Sequence, residues 1–135
     1  MRRVVLDPSV LVSALINPSG APGLLLRDIR GGAMELVVSP ILLEELEGVL
    51  GRDRFRRYFD LAVVRRYVDL LHRDAAVAPD PEDPPPLRST DPDDDYLIAL
   101  AHSQRAILVS GDKHLLDIGG GAPILAPADL MVSTR

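Results

Sequence analysis

The chain has 135 residues, 47% of them hydrophobic, with no Cys and no Trp. That length and apolar share suit one compact domain spanning residues 1–135, and the missing cysteines exclude a disulfide framework, a thiolate zinc site and a cysteine nucleophile together. A formal net charge of −5, from 15 basic and 20 acidic residues, argues against a bulk electrostatic binder of nucleic acid.

Val4-Val5-Leu6 is a short β-branched run ending at Asp7, and it predicts a buried opening strand. The same run is cut too early by Asp7 and Pro8 to be the apolar core of a signal peptide, and no stretch approaches the ~18 residues of a membrane span. A soluble, cytoplasmic protein is expected. A helix follows over Val10–Ile16, broken by Asn17-Pro18-Ser19-Gly20, and a second covers Pro22–Arg30 with Gly31-Gly32 as its stop. Glu35–Val38 is the second strand. Ser39-Pro40 then supplies a capping hydroxyl and a first-turn proline for a helix to Leu50. Asp60 caps the next helix, in which Leu61, Val64, Tyr67, Val68 and Leu71 recur at helical spacing, and Ala75–Ala78 is a short third strand. Pro79–Thr90, with five prolines, reads as an extended loop. A helix from Asp91 through Gln104, a strand over Ala106–Ser110 and a last strand at Ile124-Leu125 complete the chain; Gly119-Gly120-Gly121 is a loop. Strands separated by helices pair in parallel, which predicts a three-layer α/β/α sandwich with a central, mostly parallel sheet.

Such sheets carry their sites at the carboxyl ends of the strands. Asp7 ends the first strand, and Asp112 follows the strand Ile107–Ser110 after one glycine. Glu45 has Ile41, Leu42 and Val49 on its own helical stripe, whereas Glu44 faces the water side. Asp94 has Leu97, Ile98 and Ala101 at the matching offsets. Four carboxylates, Asp7, Glu45, Asp94 and Asp112, thus converge. They would repel one another unless divalent cations neutralised them, and an all-oxygen set selects Mg²⁺ or Mn²⁺ over zinc. Hard cations in an open carboxylate site activate water and bridge phosphate oxygens, which is hydrolytic phosphodiester chemistry. The three His residues sit on separate elements and read as structural or surface groups. Asp7 and Asp112 taken singly also read as turn or cap residues, as Asp commonly does, and Glu45 as a side chain reaching to water from the edge of its stripe.

Charge is unevenly placed. Arg52–Arg73 contains seven Arg against three Asp, whereas Pro79–Asp95 holds seven acids and one Arg. Within the basic segment Arg65, Arg66 and Arg73 read as a solvated helix face, and Arg52, Arg54, Arg56 and Arg57, around Phe55 and Tyr58, as a substrate or partner contact.

These motifs resemble the PIN domain, in particular the VapC-like toxins of prokaryotic toxin-antitoxin pairs. The resemblance rests on Val4-Val5-Leu6-Asp7 with Val10–Leu15, on Val38-Ser39-Pro40 leading to Glu45-Leu46, on Asp91-Pro92-Asp93-Asp94 with Leu97, and on Leu108–Lys113 with Leu115-Leu116. It implies a Rossmann-like nuclease fold, a Mg²⁺- or Mn²⁺-dependent ribonuclease, a homodimer, and an antitoxin protein as partner. It assigns metal binding and catalysis to Asp7, Glu45, Asp94 and Asp112 and outer positions to Asp91, Ser110 and Ser9; with RNA as substrate, the basic residues Arg52, Arg54, Arg56 and Arg57 are the expected RNA contact. Pro8-Ser9 departs from the Thr-Asn common in that family. The other reading the residues leave open is a catalytically weak or inactive module of the same fold that binds RNA or protein. A phospho-receiver domain fits poorly, because Ser39 stands where an acceptor Asp would end a central strand, and a haloacid-type phosphatase needs an acid at Ser9.

Overall fold

The computed structural model describes residues 2–82, 95–116 and 124–133. β1 (Arg3–Leu6) leads into α1 (Pro8–Ile16) and α2 (Ala21–Arg30), followed by β2 (Glu35–Val38), α3 (Pro40–Leu50), a 3₁₀ turn at Asp53–Phe55, α4 (Leu61–Asp74) and β3 (Ala76–Val77). After these come α5 (Asp95–Ser103), β4 (Ile107–Val109), α6 (Lys113–Leu116), β5 (Ile124–Leu125) and α7 (Pro127–Ser133). Asp91, Asp94 and most of the predicted Pro79–Thr90 loop lie outside the described residues, as do Gly119–Gly121.

Helix starts follow local chemistry. Asp7 accepts from the Ser9 amide at 2.9 Å and Pro8 takes the first helical position, so α1 begins two residues earlier than predicted. That proline removes only an N–H that a first turn leaves unpaired in any case, so the departure at Pro8 costs α1 no internal hydrogen bond. Ser39 Oγ accepts from the Leu42 amide at 3.2 Å, and Asp80, past β3, accepts from the Ile41 amide at 2.9 Å, so α3 is capped twice. Asp60 accepts from the Val63 amide at 2.9 Å and caps α4. α2 ends at Gly31 and Gly32, and Gly32 takes φ 102°, a conformation open to glycine at little cost.

The five strands pair in parallel in the order β3-β2-β1-β4-β5. Val4 stands opposite both Leu36 and Ile107, Leu6 opposite Val109, and Val109 opposite Leu125. β1 therefore has a neighbour on each side, and Val4, Val5 and Leu6 are wholly buried, which is why its sequence is an unbroken apolar run. The right-handed rule for parallel crossovers puts α1–α4 over one face and α5 and α6 over the other. α5 packs on β1 and β4, and α7 returns to pack on α2.

This is the three-layer α/β/α sandwich expected. α6, α7 and the 3₁₀ turn had no counterpart among the predicted elements, since they are four, seven and three residues long and hold too few turns for a periodic signal. One hydrophobic cluster runs from β1 through α3, α4 and α5. Tyr67 of α4 reaches across it to donate to the Leu11 carbonyl at 2.7 Å. Burial pushes its phenol well above the ordinary value, against a small opposing pull from Arg30, so it stays a neutral donor. Among the described residues no single helix is long and apolar enough to cross a membrane.

Candidate functional site

Strand order reverses direction between β1 and β4, because the chain builds leftward from β1 to β3 and then crosses back to β4 and β5. A crevice opens at the carboxyl ends of the strands at such a switch point. Here it is a cleft of about 700 Å³ that Asp7, Ser9, Ser13, Glu45, Val49, Gly111 and Asp112 help to line.

Asp7 is held from two sides. Its Oδ1 accepts from the Ser9 amide at 2.9 Å, and its Oδ2 accepts from Ser110 Oγ at 2.8 Å. Ser110 Oγ in turn accepts from the Asp112 amide at 2.9 Å, while the Asp7 amide donates to the Val109 carbonyl at 2.9 Å. The ends of β1 and β4 are thus laced together by one wholly buried hydroxyl. Ser110 was expected at an outer position where it would hold a water or ligand. Ser110 has no exposed surface; it donates to Asp7 Oδ2 and accepts from the Asp112 amide, and so orients both. Ser110→Ala removes a partner from a carboxylate and an amide at once, and should lower stability by about 2 kcal/mol, read from urea unfolding. An unchanged midpoint would mean that the bridge contributes nothing.

Glu45 projects from the middle of α3 into the same cleft and accepts a hydrogen bond from the Tyr96 hydroxyl. It is exposed, so the expectation that it sits against packed apolar neighbours is corrected: of its stripe Leu42 is wholly buried and Val49 packs on the core, while Glu45 itself stands at the open cleft. Tyr96 had escaped the sequence reading because an aromatic at the start of an apolar helix looks like core. The opening of α7, Ala126–Ala128, also lines the cleft and carried no advance signal.

Among the four arginines, Arg52, Arg54 and Arg57 are exposed around the 3₁₀ turn. The Arg54 guanidinium lies 4.8 Å from the Phe55 ring centre, and that of Arg57 4.9 Å from Tyr58, whose hydroxyl it also meets at 2.9 Å. Arg56 differs: it is half-buried and donates to the Leu50 carbonyl at the C-terminus of α3. None of the four lines the cleft. Arg65 pairs with Glu47 at 2.9 Å and Arg73 with Asp74 at 3.0 Å, both on the exposed surface, as a solvated helix face requires.

A family model of the PIN domain matches residues 3–114. The chain belongs to the PIN domain family. Members are generally nucleases that use divalent metal ions. The PIN chain is 31% identical over 117 residues to the uncharacterized protein MJ1680 of Methanocaldococcus jannaschii, covering 86% of this chain and 74% of that one. Its fold is similar to the crystal structure of PAE2754 from Pyrobaculum aerophilum, with TM-score 0.67 and 18% identity over 99% of this chain and 89% of that one. It is similar too to VapBC2 from Rickettsia felis bound to a DNA fragment from its promoter, with TM-score 0.63 and 14% identity over 91% and 96% of the two chains.

Among the described residues, the side-chain donors facing the PIN cleft are carboxylates and hydroxyls, which suits a hard cation. Among the described residues no three acids stand close enough to form a closed ion site. Asp7, Glu45 and Asp112 share one cleft, and the fourth predicted acid, Asp94, falls outside the described residues.

Proposed function

We propose that this PIN domain is a Mg²⁺- or Mn²⁺-dependent endoribonuclease, the toxin of a toxin-antitoxin pair, acting in the cytoplasm as a homodimer. The observation that carries the reading is the meeting of Asp7, Glu45 and Asp112 in one cleft at the switch point of a PIN-family sheet. Asp94, just ahead of α5, completes the acid set, with Asp91 and Ser9 at outer positions.

A bound divalent cation supplies an activated water and neutralises charge on the scissile phosphate. The protein's part is positional. Asp7 presents a carboxylate whose orientation is fixed by the Ser9 amide and Ser110 Oγ, so little reorganisation is left for the moment of reaction. Asp112 is set on the opposite strand end by the same serine, and Glu45 closes the α3 side. Arg52, Arg54 and Arg57 offer charge to RNA phosphates beside an exposed Tyr58 on which a base can stack, and such contacts make binding weaken with salt. The bipartite VapBC2 assembly supports an antitoxin as partner.

Incubation of the purified protein with RNA in Mn²⁺, Mg²⁺ or EDTA tests the proposal. Cleavage is expected with either metal, none in EDTA, and a loss of about two orders of magnitude in Asp94→Asn. Cleavage that survives EDTA overturns the metal-dependent mechanism, and absence of cleavage with both metals favours the inactive binding module.

A further inference from the structure

The side chain of Glu45, on α3, is held by another helix. It is exposed on α3 and has three rotatable side-chain bonds, so by itself it would sample many directions. The Tyr96 hydroxyl donates to its Oε2 across 51 residues of sequence. Tyr96 stands at the start of α5, half-buried, with its ring packed against the hydrophobic core. α5 lies on β1 and β4, whereas α3 packs against α1 and α4, so the bond joins the two helical layers.

We infer that Tyr96 is a positioning residue for Glu45: an anchored phenol that fixes one carboxylate oxygen and leaves Oε1 as the oxygen offered to a cation in the cleft. The inference rests on the metal-site reading given under Proposed function. A phenol suits this task because its ring has only two side-chain torsions, both fixed by packing, and its neutral O–H orients a carboxylate without cancelling the charge a cation needs. A lysine in its place would neutralise the site. Partners that orient metal-binding carboxylates in this way typically matter by about 10–100-fold in metal affinity.

The test is Mn²⁺ titration of the metal-free protein by calorimetry, with thermal unfolding of the same samples. Tyr96→Phe keeps the ring in the core and removes only the hydroxyl, so the apo melting temperature should move little while Mn²⁺ binding weakens by about tenfold. Glu45→Gln should weaken binding as well, and adding Tyr96→Phe to it should cause no further loss, because the phenol acts through that carboxylate. Equal Mn²⁺ affinity in wild type and Tyr96→Phe overturns the positioning role and leaves the metal site standing. A tenfold loss that persists in the Glu45→Gln background assigns the effect to packing and overturns it too. Wild type that binds no Mn²⁺ overturns the metal-site reading itself, and this inference with it.

Discussion

Asp7→Asn is expected to reduce metal-dependent RNA cleavage by about 10²–10³-fold while shifting the melting temperature by only a few degrees. The two effects separate because the side chain has two jobs. As a cap, Asn equals Asp: its amide oxygen can accept from the Ser9 amide as Oδ1 does now at 2.9 Å. On the other side its Nδ2 meets Ser110 Oγ, which has a second lone pair besides the one that receives the Asp112 amide. The structural loss is then one charge-assisted hydrogen bond, worth about 1–2 kcal/mol. As a proposed ligand, however, Asn removes a carboxylate from the acid set of the cleft. A contribution of several kcal/mol to charge stabilisation converts to a factor of ten for each ~1.4 kcal/mol. Single-turnover cleavage of a labelled RNA at saturating Mn²⁺, beside thermal melts, measures both. Cleavage within a few-fold of wild type would remove Asp7 from the chemistry. Collapse of the melting temperature would make it a structural cap first.

The second large effect is on stability and has opposite signs at two glycines. Gly23→Ala, near the start of α2, should destabilise the protein by about 3 kcal/mol, and Gly48→Ala, in α3, should stabilise it by about 0.8 kcal/mol. Both are helical, so propensity alone predicts gain at each. A Cβ on Gly23, however, would lie 2.3 Å from the Pro18 carbonyl oxygen and 2.5 Å from its carbon. Those atoms are backbone and cannot swing aside, so the α1–α2 turn must open. Nothing lies within 4 Å of a Cβ on Gly48. Ala21 and Pro22 line the cleft, so an opened turn should also lower activity. Urea unfolding of the two variants reads the difference, and a shared sign would show that close packing at Pro18 does not govern this turn.

The contrast between these glycines marks where sequence reading ends. Ser39 and Asp60 as helix caps, and Pro40 in a first turn, were legible because a cap joins residues two or three apart, whereas Asp7 and Pro8 as the start of α1 were not. The strand β1 and its terminal acid were legible for the same reason, as was the family likeness carried by the spacing around Asp7, Glu45 and Asp112. Even the parallel sheet followed from helices alternating with strands.

Tertiary structure decided the rest, because the deciding contacts join residues far apart in the chain. The adjacency of β1 and β4 puts Ser110 Oγ on Asp7 across 103 residues and buries it there. Docking of α5 on β1 and β4 accompanies the contact of Tyr96 with Glu45, a partner no local pattern foretold. Arg56 reads like its three basic neighbours until the end of α3 claims its guanidinium. Residue type and spacing determined which groups this chain offers for chemistry. Strand order and helix docking determined which of them meet, since local patterns carry no information about which elements become neighbours.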